Sequence, residues 1–262
     1  MAKRHNGKYD KSNSLPFEIS RSKIDLFYEC PACFYLEKVL GIKRIDSPKF
    51  TLNETTDILF KRDFDNFRGK DFTHPYLINK GFDHLVPFEH EDLSKWRRST
   101  QFGADGYFNT VHEETNLKVG GGLDDIFQNK NTKELHVVDY KSKSTTNIEY
   151  SEITLDGKFM GAYKRQMDFY VWVLRRKGFS VSDIGYFLYC DGDRFTEYTF
   201  LGDEIATMQF KMTLLPYPVD TSWIEPCLKK IEETLHYKEC PAHNETCKHG
   251  NYLAQINLVS ID

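Results

Sequence analysis

The chain has 262 residues, of which 40% are hydrophobic and 28% charged, with a formal net charge of −4. This composition suits a globular protein with a substantial core, and the slightly negative balance excludes a polycation that coats nucleic acid indiscriminately. No apolar run is long enough to cross a bilayer, the polar N-terminus lacks the apolar stretch of a secretory leader, and six scattered cysteines do not read as a disulfide framework, so a cytoplasmic protein without membrane partners is expected.

Residues 1–18 read as a flexible tail, followed by one domain over 19–262. Ser20 and Ser22 offer helix caps, and Ile24 and Phe27 lie one turn apart. Pro31 starts a second helical segment that stops near Gly41. Thr51 to Glu54 reads as a capping box. The helix behind it carries Phe60, Phe64 and Phe67 on one stripe. Residues 70–100, with Pro75, Gly81 and Pro87, read as an irregular insertion. Strands are expected at Gly106 to Thr110, Leu117 to Gln128 and Leu135 to Lys141, with a turn at Asn129 to Asn131. The spacing of Tyr163, Met167, Tyr170 and Leu174 predicts a helix over 163–177. An apolar strand follows from Ile184 to Cys190. Asp191-Gly192-Asp193 signals a hairpin, with its return strand at Phe195 to Phe200. Ser222 to Tyr237 is a last helix, and 240–262 is a Cys- and His-bearing segment. The order implies an α/β fold, a central mixed sheet flanked by helices.

The chemistry concentrates in Gly121-Gly122-Leu123-Asp124-Asp125 and Val137-Val138-Asp139-Tyr140-Lys141. Asp139 and Lys141 are two apart on one strand and share a face. A short hairpin brings Asp124 on the neighbouring strand toward them. Two converging carboxylates can hold a hard cation such as Mg²⁺ or Mn²⁺, which polarises a phosphoryl oxygen and acidifies bound water. An adjacent lysine can orient that water or offset developing charge. The bland alternative makes Asp124 and Asp125 turn residues and Asp139 to Lys141 a solvated strand end.

These motifs, with Gln166-Met167-Asp168-Phe169-Tyr170 and the stretch from Ser22-Lys23-Ile24 to Cys30-Pro31, resemble the PD-(D/E)XK nuclease superfamily. The likeness is to its RecB-like branch, which includes CRISPR-associated exonucleases. The resemblance implies a restriction-endonuclease-like core and a Mg²⁺- or Mn²⁺-dependent deoxyribonuclease, exonuclease-like, working in repair, phage or CRISPR contexts on single- or double-stranded DNA. It implies Asp124 and Asp139 as metal ligands, Lys141 as catalytic lysine, and Gln166 and Tyr170 as residues that support the site or touch nucleic acid. The bland readings are an exposed helix position for Gln166 and a core aromatic for Tyr170. Lys143 and Lys164 sit near enough to meet phosphates.

The chain departs from that pattern twice. Many RecB-like members place a metal-binding His on an early helix, but the segment from Leu52 to Phe67 has none. Asp57 or Asp65 could substitute, and a catalytically inactive nucleic-acid-binding module is the alternative. The branch often carries an iron–sulfur cluster tying an N-terminal Cys to a C-terminal Cys group. Here Cys30 and Cys33 form a C-x-x-C, while Cys240 and Cys247 are more widely spaced, with His243 and His249 nearby. The four thiolates could hold Zn²⁺ or a [4Fe–4S] cluster. Cys190 and Cys227 read as buried thiols without a partner.

Overall fold

The structure, a computed structural model of the chain, describes residues 5, 7–44, 50–70, 72–145, 153–157 and 160–258. In chain order the elements are β1 (Phe17–Ser20), α1 (Arg21–Glu29), α2 (Pro31–Tyr35) with a π-helical turn (Leu36–Leu40), α3 (Thr51–Asp65), α4 (Pro75–Asn79), β2 (Leu85–Pro87), α5 (Leu93–Trp96), β3 (Asn109–His112), β4 (Leu117–Gly120), β5 (Asp125–Asn129), β6 (Leu135–Ser144), α6 (Met160–Arg176), β7 (Ile184–Gly192), β8 (Phe210–Pro218), α7 (Ile224–Leu235) and α8 (Lys248–Leu258). The fold is α/β, with two mixed sheets and flanking helices. The chain forms two compact units, one of Met1–Pro48, Arg98–Gly122 and Thr221–Asp262, the other of Lys49–Arg97 and Leu123–Asp220. Among the described residues no helix is long and apolar enough to cross a membrane.

The first unit holds a three-stranded sheet in the order β1-β4-β3, with β1 parallel and β3 antiparallel to β4. Helix α1 buries Ile24, Leu26 and Phe27, and α1 and α2 pack against α7. Pro31 opens α2, where its missing N–H costs nothing. Gly41 ends the following turn at φ +80°, a conformation glycine adopts without strain. Part of the expected tail is docked. Tyr9 N–H donates to the Lys38 carbonyl at 2.7 Å, and Tyr9 meets the buried Phe17 ring edge-on. Burial of Phe17 explains why the chain orders there, and residues 17–18 begin β1. Residues 1–4 and 6 of that segment lie outside the described residues.

The second unit holds a five-stranded sheet in the order β2-β5-β6-β7-β8. All its neighbours pair antiparallel except β6 and β7. Segment 70–100, expected to be irregular, contains α4, β2 and α5, and β2 pairs along β5 through Leu85 and Asn129. One side of the sheet carries a core of Phe64, Leu77, Phe127, Val138, Tyr140 and Leu188. Phe64 reaches it from α3, so Val138 and Tyr140 face α3, while Asp139 and Lys141 face the other way. There α6 buries every residue from Gln166 to Leu174.

Three elements differ from expectation. The strand expected over 117–128 is two strands, β4 and β5, in different sheets. Glycines part them: a Cβ on Gly120 would lie 2.3 Å from the Phe108 carbonyl oxygen, and one on Gly122 would lie 2.7 Å from the Ser99 nitrogen. The strand returning from β7 is β8, not Phe195 to Phe200. Asp191 and Gly192 stay within β7, because the ladder with β6 continues through Lys143 and Ser144. Thr51 is the first residue of α3 instead of its cap, and Phe50 at the cap position makes no side-chain capping bond.

Candidate active site and metal centre

Asp124 stands one residue before β5, whose first pair joins Asp125 to Val138. Beyond that pair the ladder stops. The Tyr140 N–H donates instead to Asp124 Oδ2 at 2.9 Å, which fixes the carboxylate beside Asp139. Asp139 is fully buried. Among the described residues neither of its oxygens accepts a hydrogen bond of good geometry, although the Lys141 ammonium lies against Oδ2 as an ion pair. Burial pushes the Asp139 carboxyl up, Lys141 pulls it back, and the neighbouring Asp124 raises it again, to about 7.

Lys141 is placed from three sides. Its Nζ meets Asp139, donates to Gln166 Oε1 at 3.3 Å and lies 4.4 Å from the centre of the Tyr163 ring. Burial disfavours its charge, but Asp139 and Asp124 outweigh that and raise its pKa. The Gln166 amide donates in turn to the Tyr170 hydroxyl at 3.4 Å. Gln166 and Tyr170 are both buried. The exposed-position reading of Gln166 is therefore corrected: one helical turn aligns it with Tyr170 under Lys141. Tyr163 joins the site without a motif to mark it, and its only signal in the sequence is its place on the same helical stripe as Gln166 and Tyr170.

Helix α3 brings Asp57 and Lys61 to Asp124. Lys61 Nζ lies 2.7 Å from Asp57 Oδ2 and 3.6 Å from Asp124 Oδ1, so one ammonium spans both carboxylates. Burial and the Asp124 charge raise the Asp57 carboxyl above its ordinary range, against the pull of Lys61. Asp65 is occupied elsewhere. Burial acts to raise it, but Arg97 and Arg68 outweigh burial and hold it below the usual carboxylate range. Next to Asp124, the buried Asp125 accepts two bonds from Arg68, at 2.9 and 3.0 Å, and one from the Tyr140 hydroxyl at 2.8 Å. It also pairs with Arg97 at 3.0 Å. Lys143 is partly exposed, 3.6 Å from Asp191, and Lys164 is half-buried on α6.

A second cluster lies in the first unit. Cys30, Cys33, His243 and Cys247 place one ligand atom each within 4.8 Å of one another and could hold a metal such as Zn²⁺. His243 Nδ1 is 3.4 Å from Cys30 Sγ, 3.7 Å from Cys33 Sγ and 3.6 Å from Cys247 Sγ, and the Cys33 and Cys247 sulfurs are 3.5 Å apart. Burial works to raise Cys30, but backbone N–H groups of Asn244 and Cys33 and the His243 ring hold it down to about 6. Burial and Cys247 push Cys33 up to about 12. Cys240, expected as a ligand, is exposed and turns toward the Pro241 carbonyl, 3.5 Å away. His243 fills its place because it lies four residues before Cys247. Cys190 and Cys227 are buried thiols, as expected.

No family model and no curated protein matches the chain. Among solved structures it resembles a crystal structure from Eubacterium rectale described as a "putative exonuclease", with 14% sequence identity, a TM-score of 0.37 and 94% of each chain covered. Likeness at that level carries no argument about this chain's chemistry.

Proposed function

We propose that the chain is a Mg²⁺- or Mn²⁺-dependent nuclease that hydrolyses DNA phosphodiester bonds, with exonuclease-like action. The observation that carries this reading is Asp139: a fully buried carboxylate whose oxygens, among the described residues, accept no hydrogen bond of good geometry, set beside Asp124 and against Lys141. Lys141 pairs with Oδ2 and leaves the other buried oxygen of Asp139 open, in a position to ligate a further cation beside Asp124. Oxygen donors suit a hard divalent ion, and the residues present fit one. Asp124 and Asp139 would hold it, and Asp57 is near enough to Asp124 to join them. The ion would supply Lewis acidity at the phosphoryl oxygen. Lys141, oriented by Gln166 and Tyr163, would place positive charge where negative charge grows on the phosphoryl group. Tyr170 would hold Gln166 in register. The motif resemblance supports this reading and suggests repair, phage or CRISPR settings.

Lys61 favours a second reading, a nucleic-acid-binding module without catalysis, because its ammonium already neutralises Asp57 and Asp124. Labelled single- and double-stranded DNA with Mg²⁺ or Mn²⁺ separates the two. Cleavage supports the nuclease; DNA bound but intact with either metal supports the module.

We also propose that the cysteine centre takes one Zn²⁺ in preference to a [4Fe–4S] cluster. Bonds of about 2.3 Å to sulfur in a tetrahedral zinc site set ligand-to-ligand edges of about 3.8 Å. Four of the six separations, at 3.4 to 3.7 Å, approach that edge, and all six lie within 4.8 Å. A cluster puts each thiolate on its own iron and spreads the ligands further.

A further inference from the structure

Lys61 of α3 is held by two carboxylates, Asp57 Oδ2 at 2.7 Å and Asp124 Oδ1 at 3.6 Å, and Asp124 is one of the proposed metal ligands. The other cations beside the site are committed elsewhere. Arg68 and Arg97 pair with Asp65 and Asp125, two against two, and Lys141 lies against Asp139. Solvent reaches the site from the α3 side: the Asp57, Asp124 and Lys61 side chains are 31%, 21% and 19% exposed, whereas Asp139 is fully buried. An anion arriving from solvent therefore meets two carboxylates, which repel it, and one ammonium that both of them already occupy. With all five groups ionised, the carboxylates of Asp57, Asp124 and Asp139 outnumber the ammonium groups of Lys61 and Lys141 by one. A bound divalent cation turns that single excess negative charge into a single excess positive one.

We propose that Lys61 changes partners: it holds Asp57 and Asp124 while the site is empty, and it meets a phosphate of the nucleic acid once Asp124 ligates the metal. The inference rests on the nuclease reading and adds an order to it, metal before phosphate. In the empty site a phosphate must compete with two carboxylates for one ammonium. With Asp124 committed to the ion, Lys61 loses that partner, and its three donors reorient on a flexible stem. Lysine binds phosphate as a point charge, so no bidentate geometry has to be built for it. Lys61 therefore acts in opposite directions on the two ligands. It lowers affinity for the metal alone and raises affinity for phosphate on the loaded site. A lysine that only neutralised the empty site would do the first and not the second.

Calorimetry tests this with Mn²⁺ and thymidine 5′-monophosphate, which has no internucleotide bond to cut, each titrated alone and in the presence of the other. Thymidine is the control without a phosphate. In the parent each ligand should raise the affinity of the other by the same factor, as linkage requires. Lys61→Met should bind Mn²⁺ alone several-fold more tightly, yet on the Mn²⁺-loaded chain it should bind the nucleotide roughly 10- to 100-fold more weakly. Lys61→Arg keeps the charge and should keep most of the coupling. Circular dichroism confirms that both variants are folded. Equal nucleotide affinity in the loaded parent and loaded Lys61→Met overturns the proposal. So does a loss in Lys61→Arg as large as in Lys61→Met, or coupling to thymidine as strong as to the nucleotide. Failure of the nuclease reading looks different: binding follows the expected pattern while the parent chain cleaves no DNA with Mg²⁺ or Mn²⁺.

Discussion

Asp124, one residue before β5, and Asp125, its first residue, are identical neighbours with opposite surroundings. Asp124 turns to Asp139, while Asp125 is buried and tied to Arg68, Arg97 and Tyr140. Removing one partner of a buried ion pair strands the other charges. Asp125→Asn should therefore destabilise the fold by about 3–5 kcal/mol, read by denaturant unfolding. An unchanged midpoint would show that the arginines are satisfied without it. The spacing of Asp139 with Lys141 and of Gln166 with Tyr170 was legible, because strand and helix periods fix which residues meet. The role of Asp57 was not, since a carboxylate on a helix reads the same whether it faces water or a neighbouring strand. Mn²⁺ titration by calorimetry should find Asp57→Asn weaker by about 10- to 100-fold. Lys61→Met, which removes the competing ammonium, should bind Mn²⁺ several-fold more tightly. Equal affinities in all three chains would separate α3 from the metal.

At the scale of elements, β6 is the axis of the second unit. Its faces carry the core on one side and the proposed site on the other. It also buries His136, whose Nδ1 donates to the Ile184 carbonyl at 2.8 Å. Burial lowers the His136 pKa below 6.5, and the bond to Ile184 only partly offsets it. The unfolded chain therefore takes up this proton first as pH falls. Stability from the neutral ring is complete above about pH 6.5 and is lost as pH drops through that value toward the lower folded pKa. Melting temperature should fall between pH 7 and 5, and less steeply in His136→Gln. Parallel slopes in the two chains would remove His136 from the effect. The elements themselves were mostly legible, and the exceptions have local causes. Gly120 and Gly122 part β4 from β5 between two apolar runs that read as one strand. Asp191-Gly192-Asp193 has the composition of a turn, yet pairing with β6 carries β7 through its first two residues.

At the scale of the whole molecule, two compact units each hold one constellation. The carboxylates and Lys141 lie in one, and the Cys/His centre lies in the other. That division could not be read from composition, because each unit is built from separate stretches of chain. The fourth ligand of the centre was hidden for a related reason: it depends on how the segment after α7 folds back, which spacing alone does not fix. Metal analysis of the purified chain should give one zinc and no iron, and His243→Ala should lose the zinc. Chelation should lower the melting temperature by several degrees, since metal bound only to the folded state stabilises it by mass action. Iron with a visible charge-transfer band would contradict the zinc assignment.

The central claim is that Asp124, Asp139 and Lys141 hydrolyse DNA, and cleavage of labelled DNA with Mn²⁺ by the parent, Asp139→Ala and Lys141→Ala chains tests it most directly. Circular dichroism confirms that each variant is folded. The account predicts cleavage by the parent and a loss of at least about 100-fold in both variants. Cleavage that survives Asp139→Ala would contradict it.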